Sequence, residues 1–365
     1  MKRRALFAVS MLISVATGVS VSAPVQATVP GKKASAAAKP RYNNKAPARF
    51  KRPDAPGAFK VKKYIYPRKE YYGVFTGGLD KVAGAKRFAK TTARKPNMIK
   101  GFYNWGDPFD TAWAGSVWKY GAIPQLELEL WPGGRDLSLA TVAAGLEDDY
   151  IVSLARSIRA AKMPVVFSFG HEFNGDWYPW GQCTRPENDS PDKENACDHA
   201  NTPADWVAAW HHMHDVFQAA GATNAIWLWQ PNEIGGRPEI DIREFWPGAS
   251  YVDWAGVVAY ARNSYKRRTF AKLFVPTITK IRTFTKKPII IPEVSATPNR
   301  KYRNAFITDF LAAVNRYPDI IGFIWFNTDK RPAETDGDFR LESQKNSVPV
   351  FRKALKKGYF TFPVK

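Results

Sequence analysis

From about residue 70 onward the chain alternates two hydrophobic patterns. Short, β-rich apolar runs recur as YYGVF, MIKGFYNW, AIPQLELELW, MPVVFSF, NAIWLWQ, VDWAGVVAY, KPIIIPE and IIGFIWF. Longer segments separate them, such as PADWVAAWHHMHDVFQAAGA, where apolar residues fall at helical spacing and a glycine stands near the end. Eight strands alternating with helices over roughly 300 residues predict an α/β fold, a (β/α)8 TIM barrel. A doubly wound open sheet is the alternative topology, but no Gly-rich phosphate loop follows the first run.

The beginning of the chain differs in kind. MKRRALFAVSMLISVATGVSVSAPVQA has a basic start, an apolar stretch too short and too Ser-rich to span a bilayer securely, and small residues at Val25 and Ala27. Residues 1–27 therefore read as a secretory signal peptide cut near Ala27. A single membrane anchor is the alternative, although no stop-transfer pattern follows and no later segment is apolar enough to span. Residues 28–58, rich in Ala, Pro and Lys, read as a basic disordered linker, which leaves residues 59–365 for the barrel.

Charge and cysteine usage refine this picture. The formal net charge of +21 looks like a nucleic-acid signature until it is located: residues 28–69 alone hold 13 basic residues and one acidic. The excess belongs mostly to the linker and the few residues after it, so no nucleic-acid partner is expected. The tail is either a plain spacer or a contact for anionic cell-wall polymers. In an oxidising compartment Cys183 and Cys197, 14 positions apart in a polar loop, are expected to pair, closing a loop worth about 3 kcal/mol. Two thiols alone make no zinc site, and His211 to His214 in HHMH fit an amphipathic helix better than a metal cluster, so no metal and no cofactor are expected.

In a barrel the chemistry gathers at the C-terminal ends of the strands. Those ends carry Asn104 and Trp105, Glu129 and Trp131, His171 and Glu172, Gln230 and Asn232, Tyr260, Glu293, and finally Trp325 and Asn327. Pyranose rings stack on Trp and Tyr, and their hydroxyls pair with Asn, Glu and His, so this set suits a sugar polymer. Glycosidic cleavage needs two carboxyls, and Glu172 and Glu293, on the fourth and seventh strands, are the candidates. Trp177 and Trp180, from the stretch GHEFNGDWYPWG, join the expected substrate-binding residues or pack under the disulfide loop. In LELEL the two glutamates alternate with leucine, and we expect one to face the barrel and the other the helices, with Glu129 at the mouth. Glu233 reads as a loop charge.

The chain resembles glycoside hydrolase family 26, whose members are mainly endo-β-mannanases, from about Gly73 to the C-terminus. The resemblance rests on GHEFNGDWYPWG, NTPADWVAAWHHMHDVFQAAGATNAIWLWQPN, FWPGASYVDWAGVVAY and KPIIIPEVS, in the expected order. It implies Glu172 as acid/base, preceded by His171, with Glu293 as nucleophile, Tyr260 as the nucleophile's positioning partner and Trp325 as a sugar platform. Three positions depart from the family pattern: Ser168 where Arg is common, Phe173 where Met is usual, and Ala261 where Asn often follows the tyrosine. Losing an arginine here removes a rigid five-donor group, for which Arg135 or Arg262 is a candidate replacement that the sequence alone does not select. A monomeric retaining endo-glycosidase on β-mannan follows, with β-1,3-1,4-glucan or β-xylan as neighbouring substrates. A non-catalytic carbohydrate-binding barrel and a cell-wall structural protein are the other classes; the first would typically lack one carboxylate, and the second leaves the aromatic mouth unexplained.

Overall fold

The computed structural model describes residues 61–77, 81–131, 137–183, 201–235, 239–262, 269–333, 337–358, 360 and 362–364. The signal segment 1–27 and the linker 28–58 lie outside the described residues. All eight apolar runs form strands: β1 Tyr71–Phe75, β2 Met98–Asn104, β3 Ile123–Glu129, β4 Val165–Phe169, β5 Ala225–Trp229, β6 Trp254–Ala261, β7 Ile289–Ala296 and β8 Ile320–Phe326. They pair in parallel, each with its neighbours in sequence, and β8 closes on β1 from Tyr71 opposite Gly322 to Phe75 opposite Phe326. The (β/α)8 barrel read from the sequence is the fold.

The outer layer shows why the long segments become helices. In the helix Pro203–Ala219, Thr202 and Asp205 form a reciprocal capping box and Pro203 opens the first turn. Trp206, Trp210, Met213 and Phe217 then recur every three or four residues and are completely buried. The histidines of this helix diverge: His211 meets the Pro247 carbonyl at 2.7 Å, whereas His212 meets Asp148 at 2.6 Å.

Inside the barrel lie two layers. Its N-terminal end is an apolar floor of Tyr71, Met98, Ile123, Val166, Ile226, Trp254, Ile290 and Ile321, with Leu228 and Ile324 above. The short helix Lys62–Ile65 seals it from below: Tyr71 donates to the Tyr64 carbonyl at 2.8 Å and Trp254 to the Ile65 carbonyl at 3.0 Å. Val364, near the other end of the chain, packs into the same floor. Above it the interior turns polar with Lys100, Glu127, Ser168, Gln230 and Glu293, each buried. This corrects the expectation for LELEL. Residues two apart on a strand share a face, so Glu127 and Glu129 both point inward, Glu127 completely buried and Glu129 nearer the mouth.

Candidate active site

The mouth is shaped by the sharp exit of the chain from β4. Gly170 and Glu172 both take left-handed backbone, with φ of 57° and 52°. Glycine adopts it freely, and a Cβ at Gly170 would come within 3.0 Å of the Trp206 indole nitrogen. For Glu172 the conformation is strained, of order 1 kcal/mol or more. The fold holds it there: the Glu172 amide donates to the Gln230 carbonyl at 2.9 Å, and the Gly175 amide donates to the Glu172 carbonyl at 2.8 Å. The buried Glu172 carboxyl accepts one hydrogen bond from Trp177 Nε1 at 2.8 Å. Burial pushes its pKa up to about 7, with the charge of Glu293 adding to the rise and His171 opposing it.

Glu293 sits on β7 in the opposite electrostatic situation. One carboxylate oxygen meets the Lys100 ammonium and the other accepts from the Tyr260 hydroxyl. Burial alone would raise its pKa; the Lys100 charge, with His171 and the Tyr260 hydroxyl, outweighs burial and holds it below the usual carboxylate value. Two carboxyls in one cavity with protonation tendencies pushed apart are suited to acid and nucleophile roles.

A polar cluster underlies both. Lys100 Nζ is 2.9 Å from Glu127 Oε2, which also accepts from Gln230 Nε2; that amide reaches Ser168 Oγ at 2.7 Å. Room for Gln230 is made by Gly256, where a Cβ would lie 2.8 Å from the Gln230 Cβ. His171 Nδ1 is 3.4 Å from Glu127 Oε1, and His171 Nε2 is 3.0 Å from the Tyr178 hydroxyl. The glutamine and histidine thus meet Glu127 on β3, the residue that pairs with the lysine on β2.

Other residues expected at the site divide. Asn104 is exposed at the end of β2, paired in register with Glu129. Glu129 accepts from Trp131 Nε1 at 3.1 Å, and its pKa is raised, chiefly by burial. Trp131 is 41% exposed, presenting a ring to the outside beside Tyr178 and Trp180. Asn232 is clasped by Asn174, whose side chain donates to its carbonyl at 3.0 Å and accepts from its amide at 2.8 Å.

Three tryptophans expected to bind substrate do not face the mouth. Trp325 is completely buried and packs edge-on against Phe351 in the helical layer, so it offers no sugar platform. Trp105 is buried against Tyr150 and donates to Glu147 at 3.0 Å. Trp180 lies beneath Tyr178, stacked at 4.3 Å, and donates to the His171 carbonyl at 2.7 Å. Asn327 is held by structure instead, accepting from the Leu341 amide at 2.7 Å. Glu233 is no loose loop charge: it is buried and accepts from the Gly235 amide at 3.0 Å. Phe173 fills an apolar pocket, stacked on Phe245 at 4.6 Å. Cys183 is buried, but Cys197 lies outside the described residues, and so does Arg135. Arg262 lies over the rings of Tyr260 and Phe339 rather than under the acid/base candidate.

Sequence reading passed over Lys100 and Tyr178. The signal for Lys100 was present, since it shares the inward phase of Met98 in MIKGFYNW. Among the described residues no helix is long and apolar enough to cross a membrane.

With this geometry in place, comparison with known proteins is informative. A family model described as glycosyl hydrolase family 26 matches residues 142–317, a span holding Glu172, Tyr260 and Glu293. The chain is 25% identical to endoglucanase H of Acetivibrio thermocellus over 296 residues, covering 78% of this chain and 30% of that one. It therefore spans under a third of that relative's length. It is also 25% identical to a mannan endo-1,4-beta-mannosidase of Bacillus subtilis over 298 residues, covering 73% of this chain and 75% of the relative. The fold matches that of the YdhT protein from Bacillus subtilis with a TM-score of 0.58 at 20% identity, over 82% of this chain and 92% of that one. The barrel is a glycoside hydrolase. Its similarity is to glycosyl hydrolase family 26, whose model covers residues 142–317 and which its motifs resemble.

Proposed function

We propose that the protein is a secreted, retaining endo-glycosidase of β-mannan-type polysaccharide, with Glu172 as acid/base and Glu293 as nucleophile. The observation that carries this reading is the contrast between the two buried carboxyls: Glu172 is raised to about 7 and so can hold a proton near neutrality, whereas Glu293 is kept ionised against Lys100. Glu172 gives its proton to the glycosidic oxygen as the Glu293 carboxylate attacks the anomeric carbon, and the C–O bond to the leaving sugar breaks. A glycosyl ester on Glu293 results. Glu172, now ionised, takes a proton from water, the water oxygen attacks the anomeric carbon, and Glu293 leaves with the configuration retained. This route requires carboxyls about 5 to 5.5 Å apart. Tyr260 orients Glu293, and the exposed face of Trp131, beside Asn104 and Glu129, supplies a sugar contact.

Mannan is favoured as substrate by the similarity to a mannan endo-1,4-beta-mannosidase along most of both chains. A second reading, cleavage of β-1,3-1,4-glucan, is supported by the similarity to an endoglucanase. A reducing-sugar assay on galactomannan, glucomannan, lichenan and xylan separates them. Proton NMR of the first product formed tests the stereochemistry, and initial release of the inverted anomer would overturn the mechanism. Export through the leader, the Cys183–Cys197 disulfide, a monomeric state and wall contact through the basic linker belong to the same proposal. Mass spectrometry of the alkylated, unreduced and denatured protein checks the disulfide, with two labelled thiols as the contrary result.

A further inference from the structure

The cation beside Glu293 comes from an unexpected strand. Lys100 rises from the middle of β2, is completely buried, and places its ammonium between Glu127 and Glu293. On β4 the residue in register with Glu127 is Ser168, which brings only a hydroxyl into the cluster. We propose that Lys100, braced by Glu127, is the positioning residue that keeps Glu293 ionised and aimed for attack, in place of a cation from β4. The proposal rests on reading Glu293 as the nucleophile.

The surroundings of Glu293 leave this task to Lys100. Glu127 and Glu129 face it from β3, His171, Glu172 and Tyr178 from the turn after β4, and Tyr260 from β6. The carboxyls repel a negative Glu293. Tyr260 donates a neutral hydrogen bond, and His171 is directed at Glu127, Glu129 and Tyr178. Among the described residues, Lys100 is the group that touches Glu293 with a full positive charge. Burial works against that charge, and the two carboxylates flanking the ammonium more than offset burial, so it stays protonated. Glu127 has a second effect: with one oxygen on Lys100 and Gln230 and the other facing His171, it holds the ammonium from the side opposite its contact with Glu293.

A merely structural ion pair would affect folding and leave the acidic limb of the pH profile alone; a positioning cation sets that limb. The assay uses a dinitrophenyl β-glycoside of the sugar unit the enzyme releases, because such a leaving group needs no proton and its acidic limb reports Glu293. Lys100→Met should move the limb of kcat/KM upward by at least one pH unit and lower kcat about 100-fold at pH 5, with KM changed less than threefold. Each unit of displacement is a tenfold loss on the acidic side. Because Lys100→Met strands Glu127 in the interior, the double variant Lys100→Met/Glu127→Gln removes both charges, is the one expected to fold normally, and should show the same displaced limb. Lys100→Ala/Ser168→Arg, which returns a cation beside Glu127 from β4, should bring the limb back toward that of the parent enzyme. An unmoved limb in the folded double variant would overturn the role of Lys100. A 2-fluoro glycoside that labels a residue other than Glu293 in the parent enzyme would instead overturn the nucleophile reading itself, so the two failures are told apart.

Discussion

The barrel interior holds two regions that are equally closed to water and built on opposite principles. Met98, Val166 and Leu228 belong to the apolar floor; two residues further along the same strands and on the same face stand Lys100, Ser168 and Gln230. At about 3.3 Å of rise per residue, the interior changes from hydrocarbon to charge within roughly 7 Å. In the floor each side chain is stabilised by area and fit, and neighbours partly fill in for one another. In the polar layer each group depends on a particular partner, because an unpaired buried charge is far more costly than a small void. Within the interior, apolar packing is therefore gathered at one end of the barrel and the paired polar groups at the other.

Removing the proposed nucleophile should separate the two regions most sharply. Glu293→Ala is expected to lower turnover by 10⁴-fold or more on every polymer cleaved, about 5 kcal/mol or more of barrier, while the far-ultraviolet dichroism is unchanged, since Lys100 keeps Glu127. Azide added to Glu172→Ala should accelerate decay of a trapped glycosyl-enzyme, because azide needs no general base.

A floor substitution should do the reverse. Ile226→Ala is expected to cost about 2–5 kcal/mol of unfolding free energy, measured by denaturant titration, and to leave kcat/KM of the folded fraction within about twofold. A loss of activity as large as the loss of stability would show that floor and mouth are coupled.

The pH dependence of stability offers a finer test. Glu172 has a folded pKa raised to about 7 from an ordinary value of 4.5, so the folded protein binds the proton more tightly. Its contribution to stability is full below about pH 4.5 and is lost as pH rises toward 7. Glu172→Gln should remove that loss, flattening the fall in Tm between these pH values and raising stability by about 1–3 kcal/mol above pH 7. Glu293 works in the opposite sense, its depressed pKa adding stability that fades only as the solution becomes acid. A Tm profile for Glu172→Gln parallel to that of the parent enzyme would mean that Glu172 is less desolvated than its burial implies.

The smallest effect is expected at the rim. Trp131→Ala should raise KM for polymer three- to tenfold, the scale of one aromatic stacking contact, with kcat on a small aryl glycoside and the stability both unaltered.

Sequence made the eight strands legible because each apolar run is bounded by turns and is long enough to be buried from both sides. It was less informative about which way each residue points. In IIGFIWF both faces are apolar, so nothing in the run distinguishes an inward from an outward Trp325. The register shifts between β7 and β8 and the φ of 148° at Gly322 change the phase in this region. Lys100 and Glu127 were readable by strict two-residue periodicity from Met98 and Ile123, since both share the phase of floor residues. A lone lysine in an apolar run carries a weak signal, because a single charge there reads as an outward-facing residue. The catalytic candidates Glu172 and Glu293 were legible because their neighbours, GHEFNG and IIIPEVS, are distinctive in composition and order.

The sealed floor has a practical consequence for handling the enzyme. The helix at Lys62–Ile65 and Val364 meet in the same apolar layer, at the N-terminal end of the strands. A support, tag or fused partner joined ahead of Val61 or beyond Val364 therefore enters at the closed end of the barrel. Held at Val61 or Val364, the barrel would turn its mouth, with Trp131 exposed there, away from the surface behind.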